Sequence, residues 1–306
     1  MRMGFTRLAK LLHKSPQATR YLVRSMESSS SLQYYTLIDY SYLGYLHFKV
    51  YFKSGFIHPS KNDSLHTYLL ESPITTGIVQ TGGPYDLELS CAAPNPSRFN
   101  KELKQLISEY KELMHYDLVI TLVSHHFPRS YLVTKHNDVD IVIGGDRPVQ
   151  TLDSLQRHVL FLLSHDPLMS ISDLSLATAA NPRTVIHTMK KLRELHIIRG
   201  YKASYRLSDF GMLSYRIVLK LHNLDVDKEQ HLVQYCVQHP HIVALTKTLG
   251  AWDVEVDFET LSLPHFRSFY LEFREQFKEI IQSSNYFVLF DVHKKSFLPG
   301  LFRGEE

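Results

Sequence analysis

Asn181-Pro182-Arg183-Thr184-Val185 opens a helix, and Ser15-Pro16-Gln17-Ala18-Thr19 opens another in the same way 166 residues earlier. In each, a short polar residue can cap the helix, and proline takes the first turn, where no backbone N–H is needed. At the same shift Leu8 meets Leu174, Met26 meets Leu192, Leu32 meets Ile198 and Tyr35 meets Tyr201. One inserted residue near Gly44 and Gly211 moves the shift to 167, after which Lys53 meets Lys220, Pro73 meets Pro240, Gly83 meets Gly250, Asp86 meets Asp253 and Phe99 meets Phe266. A near-constant shift over most of 306 residues reads as a two-domain protein written twice, the period being far too long for a solenoid.

The second copy is the fuller one. Residues 152–163 form an amphipathic helix with Asp153 as its N-cap. Ser170-Ile171-Ser172-Asp173 has capping-box spacing and opens a short helix to Ala180. After Asn181-Pro182, the residues Val185, Met189, Leu192 and Leu195 recur at helical spacing and mark a buried stripe. Ile197-Ile198-Arg199-Gly200-Tyr201 then leaves as an extended wing. Three helices and a wing spell a winged helix-turn-helix, whose third helix enters the DNA major groove. Its outward face carries Arg183, Thr184, His187, Lys190 and Lys191, side chains able to reach phosphates and base edges. The plain alternative is an ordinary solvated helix face. In the first copy Gln17, Arg20, Tyr21 and Arg24 face outward, with Thr19, Val23 and Met26 inward. The counterpart of its first helix would fall before Met1, so either the start codon is misplaced or this unit has lost a third of its core. Ser28-Ser29-Ser30-Ser31 favours a frayed helix end.

Each wing is followed by a β-α-β-β-α-β pattern. In the first copy the elements are expected over 45–53, 63–71, 75–80, 86–91, 98–110 and 118–125. In the second they are expected over 214–221, 227–238, 242–248, 253–258, 263–281 and 286–290. This order gives an antiparallel sheet with two helices on one face, the ferredoxin-like arrangement. The uncovered apolar face is expected to pack on another sheet, within the chain or in a homodimer. The middle strands turn at Thr81-Gly82-Gly83-Pro84-Tyr85-Asp86 and Thr248-Leu249-Gly250-Ala251-Trp252-Asp253. A shared glycine points to positive φ or to close approach of another backbone. Thr81, Gly83, Tyr85, Asp86, Thr248, Gly250, Trp252 and Asp253 are thus candidates for an effector or subunit contact. Each aspartate can accept an ammonium, each threonine can donate, and each aromatic ring can form a wall. The plain alternative is a hairpin turn.

Together the Leu152-Asp153 start, the Asn181–Val185 helix start, Ile198-Arg199-Gly200-Tyr201 and the Thr-x-Gly-x-(Tyr/Trp)-Asp turns resemble the Lrp/AsnC, or feast/famine, family of transcriptional regulators. The resemblance covers nearly the whole chain twice, a tandem form that suggests an archaeal source. It implies an α+β fold of two tandem copies of winged helix-turn-helix plus ferredoxin-like βαββαβ sensor domain. The expected boundaries are 1–40 for the partial helix-turn-helix, 41–134 for the first sensor, 135–150 for a linker, 151–208 for the complete helix-turn-helix and 209–298 for the second sensor. It also implies sheets that pair and an amino-acid effector held where subunits meet. His196 stands where the family usually has glycine, at the end of the recognition helix.

Other chemistry is sparse. No run reaches the roughly 18 uncharged apolar residues of a membrane helix. The opening Met1–Arg7 lacks the apolar run of a secretory signal. Two cysteines, Cys91 and Cys236, at non-matching positions fit a reducing cytoplasm. A net charge of +3 permits nucleic acid without requiring it. Cys236, His239 and His241 lie close in sequence but lack the paired spacing of a zinc site. Gly144-Gly145-Asp146-Arg147-Pro148 lacks the rest of a phosphate loop and reads as linker. Ser124-His125-His126 suggests no triad. The expectation is a sequence-specific regulator that binds double-stranded DNA, is not an enzyme, and carries neither cofactor nor metal. One alternative is a ligand or partner module that has lost DNA binding. The other is an enzyme of the siroheme-decarboxylase kind on the same fold, with basic residues around a tetrapyrrole.

Overall fold

Ser15 Oγ accepts from the Ala18 N–H at 3.1 Å and Asn181 Oδ1 from the Thr184 N–H at 2.9 Å, so both proline-headed helices start where their sequences require. The structure, a computed structural model, describes residues 5–29, 31–53, 59–132 and 140–303. In chain order the first half holds α1 (Phe5–Leu11), α2 (Pro16–Ser28), β1 (Leu32–Ile38), β2 (Leu46–Phe52), α3 (Pro59–Glu71), β3 (Thr75–Gly82), β4 (Leu87–Ala93), α4 (Pro96–Glu109), β5 (Tyr116–His126) and β6 (Ile141–Gly144). The second holds α5 (Ser154–His165), α6 (Ile171–Thr178), α7 (Pro182–Glu194), β7 (Ile198–Tyr205), β8 (Leu213–Leu221), α8 (Val226–Gln238), β9 (Ile242–Gly250), β10 (Val254–Thr260), α9 (Leu263–Gln276) and β11 (Ile281–Lys295). No described helix is long and apolar enough to cross a membrane. The chain divides into two units, 1–38 with 151–210 and 39–150 with 211–306.

In the first unit α5 starts in a full capping box between Asp153 and Gln156 and packs against both α6 and α7. Val159, Leu160, Leu163, Leu174, Val185 and Leu192 are completely buried there. Each such residue contributes about 1.5–3 kcal/mol on leaving water. α1 and α2 repeat α6 and α7, but no described helix repeats α5 ahead of them. The wings pair with each other: β1 and β7 run antiparallel from Leu32↔Tyr205 to Ile38↔Ile198. The fraying expected at 28–31 is limited. The Ser28 and Ser29 hydroxyls donate back to the Ser25 and Met26 carbonyls, and Ser30 lies outside the described residues.

In the second unit the β-α-β-β-α-β order occurs twice, β2 to β5 and β8 to β11. Each set of four strands pairs in the order fourth, first, third, second: β5-β2-β4-β3 and β11-β8-β10-β9. The expected pair of separate sheets is corrected here. β3 pairs with β11 and β9 pairs with β5, so the strands close into one eight-stranded barrel. Sheet edges that would expose unpaired N–H and C=O groups are used up in the closure. The helices cover the outside, over one core that includes Phe48, Val50, Phe52 and Phe99 and another that includes Tyr215, Ile217, Phe258 and Phe266. The stretch expected as linker is partly a strand: β6 takes over the edge of β5 where β2 ends, with Gly144 opposite Val123. Residues 135–139 of that linker lie outside the described residues.

Backbone conformation repeats at the shifts seen in sequence. His13 (φ 50°) matches Ala179 (φ 52°), Gly44 (77°) matches Gly211 (66°), and Gly83 (123°) matches Gly250 (142°). His196, where a glycine was expected from the resemblance, has φ 59°.

Candidate functional site

The two glycine turns have the same geometry. Thr81 Oγ1 donates to the Tyr85 carbonyl and Thr248 Oγ1 to the Trp252 carbonyl, each at 2.9 Å. Neither threonine hydroxyl hydrogen is left for a ligand. Tyr85 and Trp252 turn into the barrel, where they join Tyr51, Val119, Val218 and Phe287 in one apolar layer. Asp253 accepts from Lys220 Nζ at 2.9 Å and from the Leu221 N–H at 2.8 Å. The Asp86 N–H donates to the Phe52 carbonyl, as the Asp253 N–H does to that of Leu219, both at 2.9 Å. A Cβ on Gly250 would run into the carbonyl oxygen of Leu118 on β5, and one on Gly83 would sit 3.4 Å from Phe287 Cβ on β11. The turns thus lie at the seams where the two strand sets join.

Strand alternation puts charge beside this layer. Phe48, Val50 and Phe52 face the helices, so Lys49 and Tyr51 face the barrel interior. Lys49 Nζ pairs with Glu255 at 2.5 Å, and Arg216 pairs with Glu88 and, through two bonds of 2.6 and 2.9 Å, with Asp257. Tyr51 OH donates to Glu255 at 2.6 Å and accepts from Arg216 at 2.9 Å, while Trp252 Nε1 donates to Glu255 at 3.0 Å. Lys49 and Arg216 are counterparts at the 167 shift, as are Glu88 and Glu255. Each cation therefore reaches the glutamate of the other strand set, a reciprocal contact of the kind a two-fold interface makes. Burial pushes the Glu255 carboxyl up, but Lys49 and Arg216 outweigh it and hold it below its ordinary range. Burial lowers and the surrounding carboxylates raise Arg216, and the net direction is upward. The inward face is thus not simply apolar, as the sequence pattern led us to expect. An eight-stranded barrel is just wide enough for its own side chains to fill.

The second strand set carries a further polar cluster that its counterpart lacks. His241 Nδ1 donates to the Glu259 carbonyl at 2.7 Å, its ring stacks on Tyr131 at 5.1 Å, and His265 crosses it edge-on at 4.6 Å. Because a carbonyl can only accept, Nδ1 holds the proton and Nε2 is left to exchange one. His239 accepts from the His241 N–H at 3.3 Å. Burial, then the neighbouring His241 and His265, lowers its pKa to about 4. Arg129 forks onto the Glu259 carboxylate at 2.7 and 2.9 Å, and Tyr131 OH donates to the same group. At the equivalent positions the first copy has Ser72, Ile74, Ala92 and Arg98 for His239, His241, Glu259 and His265. Cys236 is fully buried in the apolar core, and burial pushes its thiol up. Among the described residues no three His, Cys, Asp or Glu side chains converge to hold a metal ion.

On α7, Arg183, Thr184, His187, Lys190 and Lys191 are all exposed. Thr184 is turned to its cap, Asn181, and Lys190 lies 3.5 Å from Glu194. On α2, Gln17, Arg20, Tyr21 and Arg24 are exposed, and Arg20 lies over the Phe5 ring at 5.4 Å.

No family model matches the sequence, and no curated protein does. Solved structures do match the fold. The crystal structure of the siroheme decarboxylase NirDL has a TM-score of 0.61 at 10% identity, covering 98% of this chain and 90% of its own. Its co-complex with an iron-uroporphyrin III analogue gives 0.59 at the same identity and coverage. The long match is to an enzyme. That overturns the expectation that the protein is not one. AsnC/Lrp regulators match over about half the chain. A Neisseria meningitidis regulator in complex with L-Met gives 0.42 at 19% identity over 48% of this chain and 95% of its own. E. coli AsnC gives 0.40 at 15% identity over 46% and 94%.

Sequence reasoning missed the interior charges. Their signal was present: Lys49 with Arg216, and Glu88 with Glu255, keep like charge at the 167 shift inside strands otherwise rich in apolar residues. His239 and His241 stood out in sequence only as weak metal ligands. His265, Tyr131 and Arg129 join them through the fold alone, with no local motif to mark them.

Proposed function

We propose that this protein is an enzyme of the siroheme-decarboxylase kind, acting on an iron tetrapyrrole with acidic side chains. The observation that carries the reading is the likeness of fold to NirDL over 98% of the chain. In such a reaction a C–C bond to a carboxylate of the substrate breaks, carbon dioxide leaves, and the electron pair left on carbon takes up a proton. Delivering that proton is general-acid work, most often done by histidine. His241 suits it: Nδ1 is fixed on the Glu259 carbonyl, and Nε2 is left for exchange with water and substrate. Arg129 and Tyr131 hold the Glu259 carboxylate, so the charge of that acid is already neutralised. The open cleft lined by Tyr235, Leu271, Glu272, Glu275 and Gln276 does not suit this substrate, since its glutamates repel carboxylates. We read the recurring strand sets as a tandem duplication in which only the second copy gained the imidazoles. Anaerobic incubation of the purified protein with siroheme, then mass spectrometry of the extracted tetrapyrrole, should show loss of carbon dioxide. Unchanged siroheme, with no shift of the Soret band on titration with iron-uroporphyrin III, removes this reading.

A second reading keeps the regulator. The exposed basic face of α7 supports binding of double-stranded DNA through Arg183, His187, Lys190 and Lys191. An amino-acid effector at the glycine turns has weaker support, because Asp253 and both threonines are engaged within the protein. Binding to a genomic DNA pool with no tetrapyrrole turnover would select this reading over the first.

A further inference from the structure

Each strand set ends in an arm that crosses onto the other set. After β5 the Phe127 N–H donates to the Val243 carbonyl at 3.0 Å, and after β11 the Ser296 N–H donates to the Thr76 carbonyl at 2.7 Å. Thr76 and Val243 are counterparts at the 167 shift, so the two arms dock by equivalent bonds. Beyond that bond they differ. Counted from it, Arg129 and Tyr131 stand where the second arm has Leu298 and Gly300. Leu298 is buried, and a Cβ on Gly300 would lie 3.3 Å from the Pro73 carbonyl oxygen, which leaves little room for a side chain. In the first arm the Leu132 N–H closes a turn on the Arg129 carbonyl at 3.0 Å, and from this turn Arg129 and Tyr131 both reach the Glu259 carboxylate. Burial, then the charge of Glu259, push the Tyr131 hydroxyl up, so it remains a donor. With that hydroxyl tied down, the Tyr131 ring lies within 6° of parallel to the ring of His241. Docking of an arm therefore needs neither Arg129 nor Glu259, whose counterpart is Ala92, and both occur in the half that carries the imidazoles.

We propose that Arg129 and Tyr131 are positioning residues for His241, holding its ring in one orientation and one tautomer, with Nδ1 protonated and Nε2 open to substrate. The Glu259 carbonyl selects the nitrogen, and the stacked Tyr131 ring keeps the imidazole from turning away from that carbonyl. Arg129 acts one step further back: its fork fixes the Glu259 carboxylate, which in turn fixes the Tyr131 hydroxyl. A reacting group displaced by about 1 Å can lose roughly a hundredfold in rate. The role in turnover rests on the reading of His241 as proton donor, whereas the tautomer does not.

Arg129→Leu with Glu259→Ala gives the first arm the apolar anchor of the second, and Tyr131→Ala removes the stacked ring alone. In full-length protein labelled with 15N-histidine, the His241 signals are assigned by their loss in His241→Gln. At about pH 8, where histidine is ordinarily neutral, they should show a protonated Nδ1 and a bare Nε2. Both altered proteins should show the averaged signals of a tautomer mixture while keeping the wild-type circular dichroism. With siroheme, kcat should fall about ten- to a hundredfold while KM changes by less than about twofold. Leu298→Ala should lower Tm and leave the His241 signals and kcat unchanged. The clamp is overturned if wild-type His241 is already a mixture, if His241 keeps one tautomer in both altered proteins, or if KM rises while kcat holds, which would make Arg129 a substrate ligand. Loss of the single tautomer in both, with no siroheme turnover by the wild type, supports the clamp and overturns the decarboxylase reading.

Discussion

Replacing Glu255 by glutamine tests whether the interior charge network holds the barrel closed. Glu255 is almost fully buried, its side chain 1% exposed, and it takes bonds from Lys49, Tyr51 and Trp252. Glutamine has the same shape but one acceptor oxygen and no charge. Lys49 would be left as a buried ammonium without its ion-pair partner. Removing one partner of a buried pair costs about 3–5 kcal/mol. For a unit of this size each kcal/mol lowers Tm by about 2–4 °C, so a fall of roughly 6–20 °C is expected. Adding Lys49→Met removes the stranded charge and should recover more than half of the loss. Differential scanning calorimetry of the two single variants and the double variant completes the cycle. The pH dependence has a definite sign. Glu255 is held below its ordinary 4.5 in the folded state, so its contribution is present above pH 4.5 and is lost as pH falls through the folded value. The gap between wild type and Glu255→Gln should therefore narrow in acid. A Tm fall under about 3 °C at pH 7, or a Lys49→Met change that adds to the loss, would refute the reasoning.

Other outcomes can be checked separately. Gly250→Ala should destabilise clearly more than Gly211→Ala, because both have positive φ but only Gly250 also meets a backbone oxygen; equal urea midpoints would count against the seam. Half-buried His47, lowered to about 3 mainly by desolvation and then by Lys49, should stay neutral in NMR titration down to about pH 4. Its stability penalty therefore grows as pH falls from 6.5 towards 3, and a midpoint near 6.5 would contradict its burial. His241→Gln should abolish siroheme turnover while leaving iron-uroporphyrin III binding intact; unchanged turnover would take His241 out of the chemistry. If DNA is bound, Arg183→Ala with Lys190→Ala should flatten the salt dependence by up to about 2 in log–log slope, and an unchanged slope would place binding on another surface.

The parts of the fold legible in the sequence are those set by local physics. Proline after a capping residue, apolar residues at helical spacing and a glycine at a turn each act over a few residues, and α2, α7 and the two glycine turns lie where such signals put them. Strand closure is a different matter. Whether β3 pairs with nothing or with β11 depends on an edge more than 200 residues away, and neither strand carries a mark of its partner. The charges were the available clue. A lysine, an arginine and two glutamates kept at matching inward positions are costly in an interior unless each finds an opposite charge. Within one copy Lys49 and Glu88 lie on neighbouring strands, with Lys49 opposite Ser90, yet each pairs with the other copy. That reciprocity is what two sheets facing across a closed interior provide. It follows that these four charges constrain one another across the two strand sets, although other inward positions differ, as Tyr51 against Val218 and Ser90 against Asp257 do. The imidazole cluster sits where Ser72, Ile74 and Arg98 of the first copy show that no such constraint applied. A search for chemistry in this protein therefore starts at the imidazole cluster, which the other strand set lacks, and the four paired charges belong to stability.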